Sequence, residues 1–238
     1  MSAIPHLGEL AALGTAFCWT VTALAFESAS LRVGSLSVNF IRLVFASLLL
    51  AGFNFASRGL PLPTDASPEV FGWMTASGLI GFTLGDLCLF RALMLIGARL
   101  TMLITALVPP LTALIGFAVL EERLSIFGIV GMALTVGGIA FVVLERLASA
   151  ADAIGRKQRR TGILLAMGSA MGQAVGLILS KRGLASGYDA FAATQIRVLS
   201  GLVGFAAIFF AVGWWAKVEA ACRDKPAMAR MGLGAVFG

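Results

Sequence analysis

The chain has 238 residues, of which 59% are hydrophobic and 13% charged, with a mean hydropathy of +0.94. A soluble domain carries about 25% charged residues, so a soluble core is excluded and a polytopic membrane protein is expected. The formal charge of +6 does not point to nucleic acid, because the basic residues lie in short loops between apolar runs, where they act as topology signals.

The first span is expected from about Gly8 to Phe26, with Glu27 marking its exit. Leu10 to Phe26 is uncharged, and Gly8, Ala12 and Ala16 lie four apart, a small-residue face that permits close helix contact. No basic stretch precedes this run (His6 is the only candidate charge), so no cleavable signal is expected and the span is retained. Trp19 sits in mid-span, whereas an interfacial tryptophan belongs near an end. It either packs between helices or forms a wall of a central cavity. The second span is expected from about Ser35 to Ala56, with Asn39 and Arg42 in its first turns. Arg42 can snorkel to the interface or face a cavity, because an arginine at a helix centre costs roughly 2.5–3.5 kcal/mol on insertion scales.

The loop from Arg58 to Pro68 holds three of the seven prolines and ends that helix. The third span is expected from about Val70 to Leu93 and contains Asp86 and Arg91. A mid-span aspartate is a functional-site hypothesis by default. The alternative is internal pairing with Arg91, although five residues is poor spacing on a helix.

The run from Leu100 to Leu144 is the clearest element of the chain. Thr101–Leu120 and Leu124–Leu144 are both uncharged, and only Glu121, Glu122 and Arg123 separate them. Each run is long enough to cross a hydrocarbon core of ~30 Å, so the two are expected to form an antiparallel helical hairpin. Pro109 and Pro110 remove two backbone donors, so the fourth span must kink or break there. Broken helices near mid-membrane mark substrate sites in transporters, while a plain kink is the simpler reading. Thr101, Thr105 and Thr112 are placed to satisfy freed carbonyls or to face a solute. Gly128, Gly131, Gly137 and Gly138 suit close packing of the fifth span.

The mid-span prolines, Ala113, Gly116, the turn Glu122-Arg123-Leu124-Ser125 and the glycines Gly131, Gly137 and Gly138 together resemble the EamA-type transporters of the drug/metabolite superfamily. An arginine early in the second span is similar to the family pattern too. Family members often carry Trp-Gly where this chain has Trp19-Thr20. The resemblance implies a secondary transporter that moves a small metabolite or drug-like solute by alternating access.

The polar linker from Glu145 to Thr161 carries Arg146, Arg156, Lys157, Arg159 and Arg160 and reads as a boundary between halves. The sixth span, about Gly162 to Ser180, repeats the first at an offset of 154, so Gly8, Ala12, Gly14, Ala16 and Val21 meet Gly162, Ala166, Gly168, Ala170 and Val175. Trp19 is matched by Gln173, and Gly168, Gly172 and Gly176 form a second small-residue face. The seventh span runs from about Phe191 to Trp215, where Ile196-Arg197 repeats Ile41-Arg42 with a one-residue shift. A polar loop, Lys217 to Pro226, then leads to the start of an eighth span at Met228.

The expected fold is therefore an all-α membrane protein, a polytopic bundle of two inverted five-helix repeats. Residues 1–145 form the first, 146–161 a basic linker, and 162–238 a second, C-terminally incomplete repeat. About seven full spans and the start of an eighth are expected. An odd number of spans per repeat inverts the second copy, as in many alternating-access transporters. Cavity candidates are Trp19, Asn39, Arg42, Asp86, Gln173 and Arg197, with Pro109 and Pro110 shaping the broken helix. Asp86 is the candidate for proton coupling.

A membrane enzyme would need a nucleophile, a metal cluster or paired carboxylates within the bilayer. Asp86 stands alone, His6 is terminal and Glu121 and Glu122 lie in a turn, so no enzyme is expected. Cys18, Cys88 and Cys222 are far apart, have no metal spacing and read as small buried hydrophobes. No cofactor or metal is expected. The expected partners are the lipid bilayer, a small-molecule solute and optionally a proton, without nucleic acid. Pairing with a second copy or an unlike subunit is left open, and in an unlike complex the chain would be an inactive or structural partner. The expected location is integral and multi-pass, in a bacterial-type plasma membrane. Loop charges favour an outer N-terminus under the positive-inside rule, whereas the resemblance implies cytoplasmic termini, so orientation stays open.

Overall fold

A computed structural model of the chain describes residues 7–121, 123–148 and 153–237. Glu122, His6 and part of the expected linker lie outside them. All regular elements among the described residues are helical. They are α1 (Leu7–Val33), α2 (Ser35–Arg58), α3 (Pro68–Gly78), a π-helical segment (Leu79–Gly85), α4 (Asp86–Thr105), α5 (Val108–Leu120), α6 (Ile126–Ala148), α7 (Ala153–Leu184), α8 (Ala190–Val212), α9 (Trp215–Arg223) and α10 (Lys225–Phe237). Five stretches are long and apolar enough to cross a membrane: residues 35–58, 68–105, 126–145, 155–184 and 190–212. The chain is an all-helical membrane protein.

Local chemistry sets the ends of these helices. Gly34 (φ 87°) separates α1 from α2, so the first helix continues past Glu27 and stops only at Val33. Gly59, at φ 74°, closes α2 and donates its N–H to the Phe55 carbonyl. Ser67 caps α3 through Val70 N, with Pro68 in the first turn. Asp189 caps α8 by accepting from Ala192 N at 2.8 Å, and Asp224 caps α10 by accepting from Ala227 N at 2.9 Å. That hydrogen bond, with the Arg32 guanidinium nearby, holds the Asp224 carboxyl below its ordinary value.

The stretch 68–105 joins the third expected span to the start of the fourth. It is divided at Gly97, whose φ of 75° and ψ of 167° are not helical. The break leaves Ala98 N without an intrahelical acceptor, and Glu27 Oε1 from α1 takes that bond at 2.8 Å. The expected break of the fourth span falls just before the proline pair: α4 ends at Thr105, and α5 begins at Val108 with Pro109 and Pro110 in its first turn. Thr105 and Thr112 bond the carbonyls of Thr101 and Val108, one turn back in each case, rather than the carbonyls the prolines free.

The principal core lies between α1, α2, α4, α8 and α10, around Phe26, Leu43, Phe90, Phe205, Phe209 and Met231. The central helix pairs approach through glycine. A Cβ on Gly172 would lie 3.2 Å from Gly85 Cα, and one on Gly176 would lie 3.1 Å from Gly81 Cα. Ser77 on α3 donates to the Gly176 carbonyl at 2.6 Å, tying the same seam. Asn54 of α2 donates to Gln195 of α8 at 2.8 Å in a fully buried bond, and Gln195 donates in turn to the Pro61 carbonyl at 2.8 Å. Beside it, Asp65 pairs with Arg58 and accepts from the Tyr188 hydroxyl at 2.9 Å, linking the loop after α2 to the turn before α8. Burial alone would raise the Asp65 carboxyl, but the Tyr188 hydroxyl and the Arg58 charge outweigh it and hold it below its ordinary value.

Several expectations need correction. The polar loop expected over Lys217–Pro226 contains α9, which buries Val218 and Ala221, three apart, against the core and leaves Lys217, Glu219 and Arg223 outside. The fifth expected span, α6, is not packed through its glycines. Gly131, Gly137 and Gly138 have open space where a Cβ would stand, and only 6% of the apolar window is buried. Phe127 on that helix is 91% exposed. α6 begins at Ile126, two residues later than expected, and runs to Ala148, so helix occupies part of the expected linker. α7 begins at Ala153, also inside that linker. The three cysteines are free, but Cys222 is exposed and the other two are half-buried, so none is a fully buried hydrophobe.

Candidate functional site: a charged cavity in the helix bundle

The π-helical segment Leu79–Gly85 immediately precedes Asp86. A π-turn inserts one residue relative to an α-helix, so it rotates every following side chain around the axis. Asp86 is thereby aimed away from the face that α3 would have given it. The glycines Gly78, Gly81 and Gly85 allow the widened turn to lie against α7 and α8. No side-chain pattern in the sequence announces this segment; the density of glycine is its only trace.

Asp86 is buried, with 5% of its side chain exposed, and forms an ion pair with Arg42 of α2, itself 16% exposed. Asn39 Oδ1, one helical turn before Arg42, accepts from Arg42 Nε at 3.2 Å and Nη2 at 3.0 Å. The guanidinium lies 5.8 Å from the ring centres of both Phe26 and Phe90. Arg42 therefore does not snorkel to the interface. It is held inward by a carboxylate, an amide and two aromatic rings. Asp86 pairs with it rather than with Arg91, whose side chain is exposed.

Arg42 and Asp86 open onto a cavity of about 800 Å³. Trp19, 46% exposed, forms part of its wall from α1, and Gln173 enters from α7. Arg197 enters from α8 and Pro109 from the start of α5. Apolar wall is supplied by Leu24, Phe82, Met102 and Leu177, and Thr105 adds a hydroxyl. Asn39 does not line the cavity; it stands behind Arg42 and orients it. Pro110 is buried beside the cavity without lining it. The structure thus brings Trp19, Arg42, Asp86, Gln173, Arg197 and Pro109 to one space, with Asn39 one step behind.

Arg197 is held differently from Arg42. Its guanidinium stacks over the Phe82 ring at 4.9 Å, and the Asp86 charge acts on it without an ion pair. Its Nε is buried without a hydrogen-bond partner among the described residues. Arg99 also lines the cavity, although its place in the sequence suggests only a short turn. Its position follows from Gly97, which starts a new helix just before it. Gln173 donates to Ser169 at 3.3 Å on its own helix. No group of three or more His, Cys, Asp or Glu side chains that could hold a metal ion occurs among the described residues.

The arrangement is that of a polytopic membrane protein with a charged cavity, lined from α1, α2, α4, α5, α7 and α8. A model of the EamA-like transporter family matches residues 6–144, and the chain belongs to that family. It is a membrane transporter of the drug/metabolite type. A comparison with curated proteins finds no match.

Proposed function

We propose that the chain moves a small metabolite or drug-like solute across the membrane by alternating access, with the cavity at Arg42, Asp86 and Arg197 as its solute site. The observation that carries this reading is the convergence of charged side chains on one 800 Å³ space inside a bundle of apolar helices. Charges in such a place are costly and are kept where a polar pathway needs them. The broken helix at Ala106–Leu107, with Pro109 on the cavity wall, supports the same reading.

The helices group as two inverted repeats, 1–145 and 162 onward, about seven spans and the start of an eighth. Support comes from the 154-residue offset, which pairs Trp19 with Gln173, and both line the cavity. Asp86 carries the coupling proton. Protonation would release Arg42, which faces Asp86 from α2, while Arg197 faces it from α8. The location is a bacterial-type plasma membrane.

The test is solute flux in proteoliposomes loaded with a pool of radiolabelled metabolites, with and without an imposed pH gradient. At least one solute should leave protein-containing vesicles faster than empty ones, and Asp86→Asn should abolish the dependence on the gradient. Equal flux from both vesicle types would overturn the transport reading. Unchanged flux-versus-pH curves in the variant would overturn the proton role alone.

A further inference from the structure

We propose that the cavity selects an organic anion: a carboxylate or phosphate group seated on Arg197, with an apolar body against Trp19, Leu24 and Met102. The inference rests on the transport reading for its use, but not for the existence of the site.

The charge balance of the wall comes first. Arg42, Arg99 and Arg197 line the cavity against a single carboxylate among the described residues, Asp86. That carboxylate is committed to Arg42 by an ion pair, and Asn39 takes up further donors of the same guanidinium. Arg197 has neither an ion pair nor a hydrogen bond among the described residues. Its Nε is a buried donor with no acceptor among the described residues, and the group rests on the face of Phe82. A buried donor without an acceptor is costly, and the planar fork of a guanidinium matches carboxylate and phosphate oxygens. A cationic solute would meet net repulsion here, and a neutral carbonyl would accept from Arg197 without charge assistance and without the bidentate fit.

The rest of the wall is apolar. Trp19, Leu24, Met102 and Leu177 line it, and Phe82 both stacks on Arg197 and borders the space. An inorganic ion would leave that surface wet, so the fitting solute carries hydrocarbon or an aromatic ring behind its charge.

The experiment uses the full chain in detergent and four probes of similar size: phenylacetate, phenyl phosphate, phenylacetamide and phenethylamine. Binding is measured by titration calorimetry on the wild type, Arg197→Gln and Arg197→Lys. At least one of the two anions should bind the wild type roughly tenfold or more tighter than the amide, and the amine more weakly still. Which anion binds better identifies carboxylate or phosphate as the natural group. Arg197→Gln should remove the preference, and Arg197→Lys should keep part of it.

Equal binding of amide or amine to the wild type, binding of neither anion, or an unchanged anion preference in a folded Arg197→Gln protein would each overturn the proposal. The wild-type panel decides the matter even where the variants do not fold. Anion binding without flux in proteoliposomes would leave this site standing and remove the transport reading. Flux of a cation or neutral solute would do the reverse.

Discussion

Asp86→Asn should lower the stability of the purified protein by about 3 kcal/mol, the low end of what breaking a buried ion pair costs. The loss arises less from the missing attraction than from the charge left behind. Arg42 is 16% exposed and would stay in place supported by Asn39 Oδ1 and the rings of Phe26 and Phe90. The low end is expected because the pair borders a cavity of about 800 Å³, from which water can reach the guanidinium. The partner variant, Arg42→Met, should cost a similar amount by stranding the carboxylate. The combination Arg42→Met with Asp86→Leu should recover most of the loss, since an apolar pair of similar volume often matches a buried ion pair in stability. Thermal unfolding of the wild type, Arg42→Met, Asp86→Leu and the double variant in one detergent closes the cycle. Simple addition of the two losses would show that the pair is not coupled as the structure has it.

The second large effect is expected at a glycine. A Cβ on Gly78 would stand 2.3 Å from the carbonyl oxygen of Arg197 and 2.9 Å from its Cα. Both atoms are backbone, so no side chain can turn aside. Gly78→Ala must therefore push α3 and α8 apart at the residue whose guanidinium stacks on Phe82. Overpacking of this kind costs about 1–3 kcal/mol, occasionally more. It should also weaken solute binding, because Arg197 moves with its backbone. Gly131→Ala on α6 is the matched control: nothing stands within 4 Å of its Cβ, and alanine in a helix interior should stabilise by roughly 0.5–1 kcal/mol. Unfolding temperatures and anion affinity for the two variants measure the contrast. Equal behaviour would mean that α3 and α8 are not in contact at Gly78.

Much of this molecule is legible from its sequence, and the reason lies in the bilayer. Lipid demands long uncharged helices, so the apolar runs and their glycine or proline breaks appear directly as composition. The same solvent makes Arg42, Asp86, Gln173 and Arg197 conspicuous, because a polar group in an apolar run is too costly to sit there without a partner or a use. What sequence does not show is which of them meet. Asp86 has Arg91 as its nearest opposite charge along the chain, while its actual partner, Arg42, lies 44 positions earlier. That pairing depends on the π-segment, which turns Asp86 toward α2. The polar stretch after Trp215 looks like a loop because its charges dominate a short window. Val218 and Ala221, spaced for one helical face, carry the weaker helical signal there. The glycines of α6 suggest packing, yet glycine spacing permits close approach without requiring it.

The most direct test of alternating access is labelling from the two sides of the membrane. Cys18, Cys88 and Cys222 would be replaced, and Gln173→Cys would place one thiol on the cavity wall. A membrane-impermeant maleimide is then applied from one face of oriented vesicles and from the other. The account predicts labelling of the same thiol from both faces, with a ratio that shifts when an anionic solute is added. Labelling from a single face under every condition, or from neither, would contradict it.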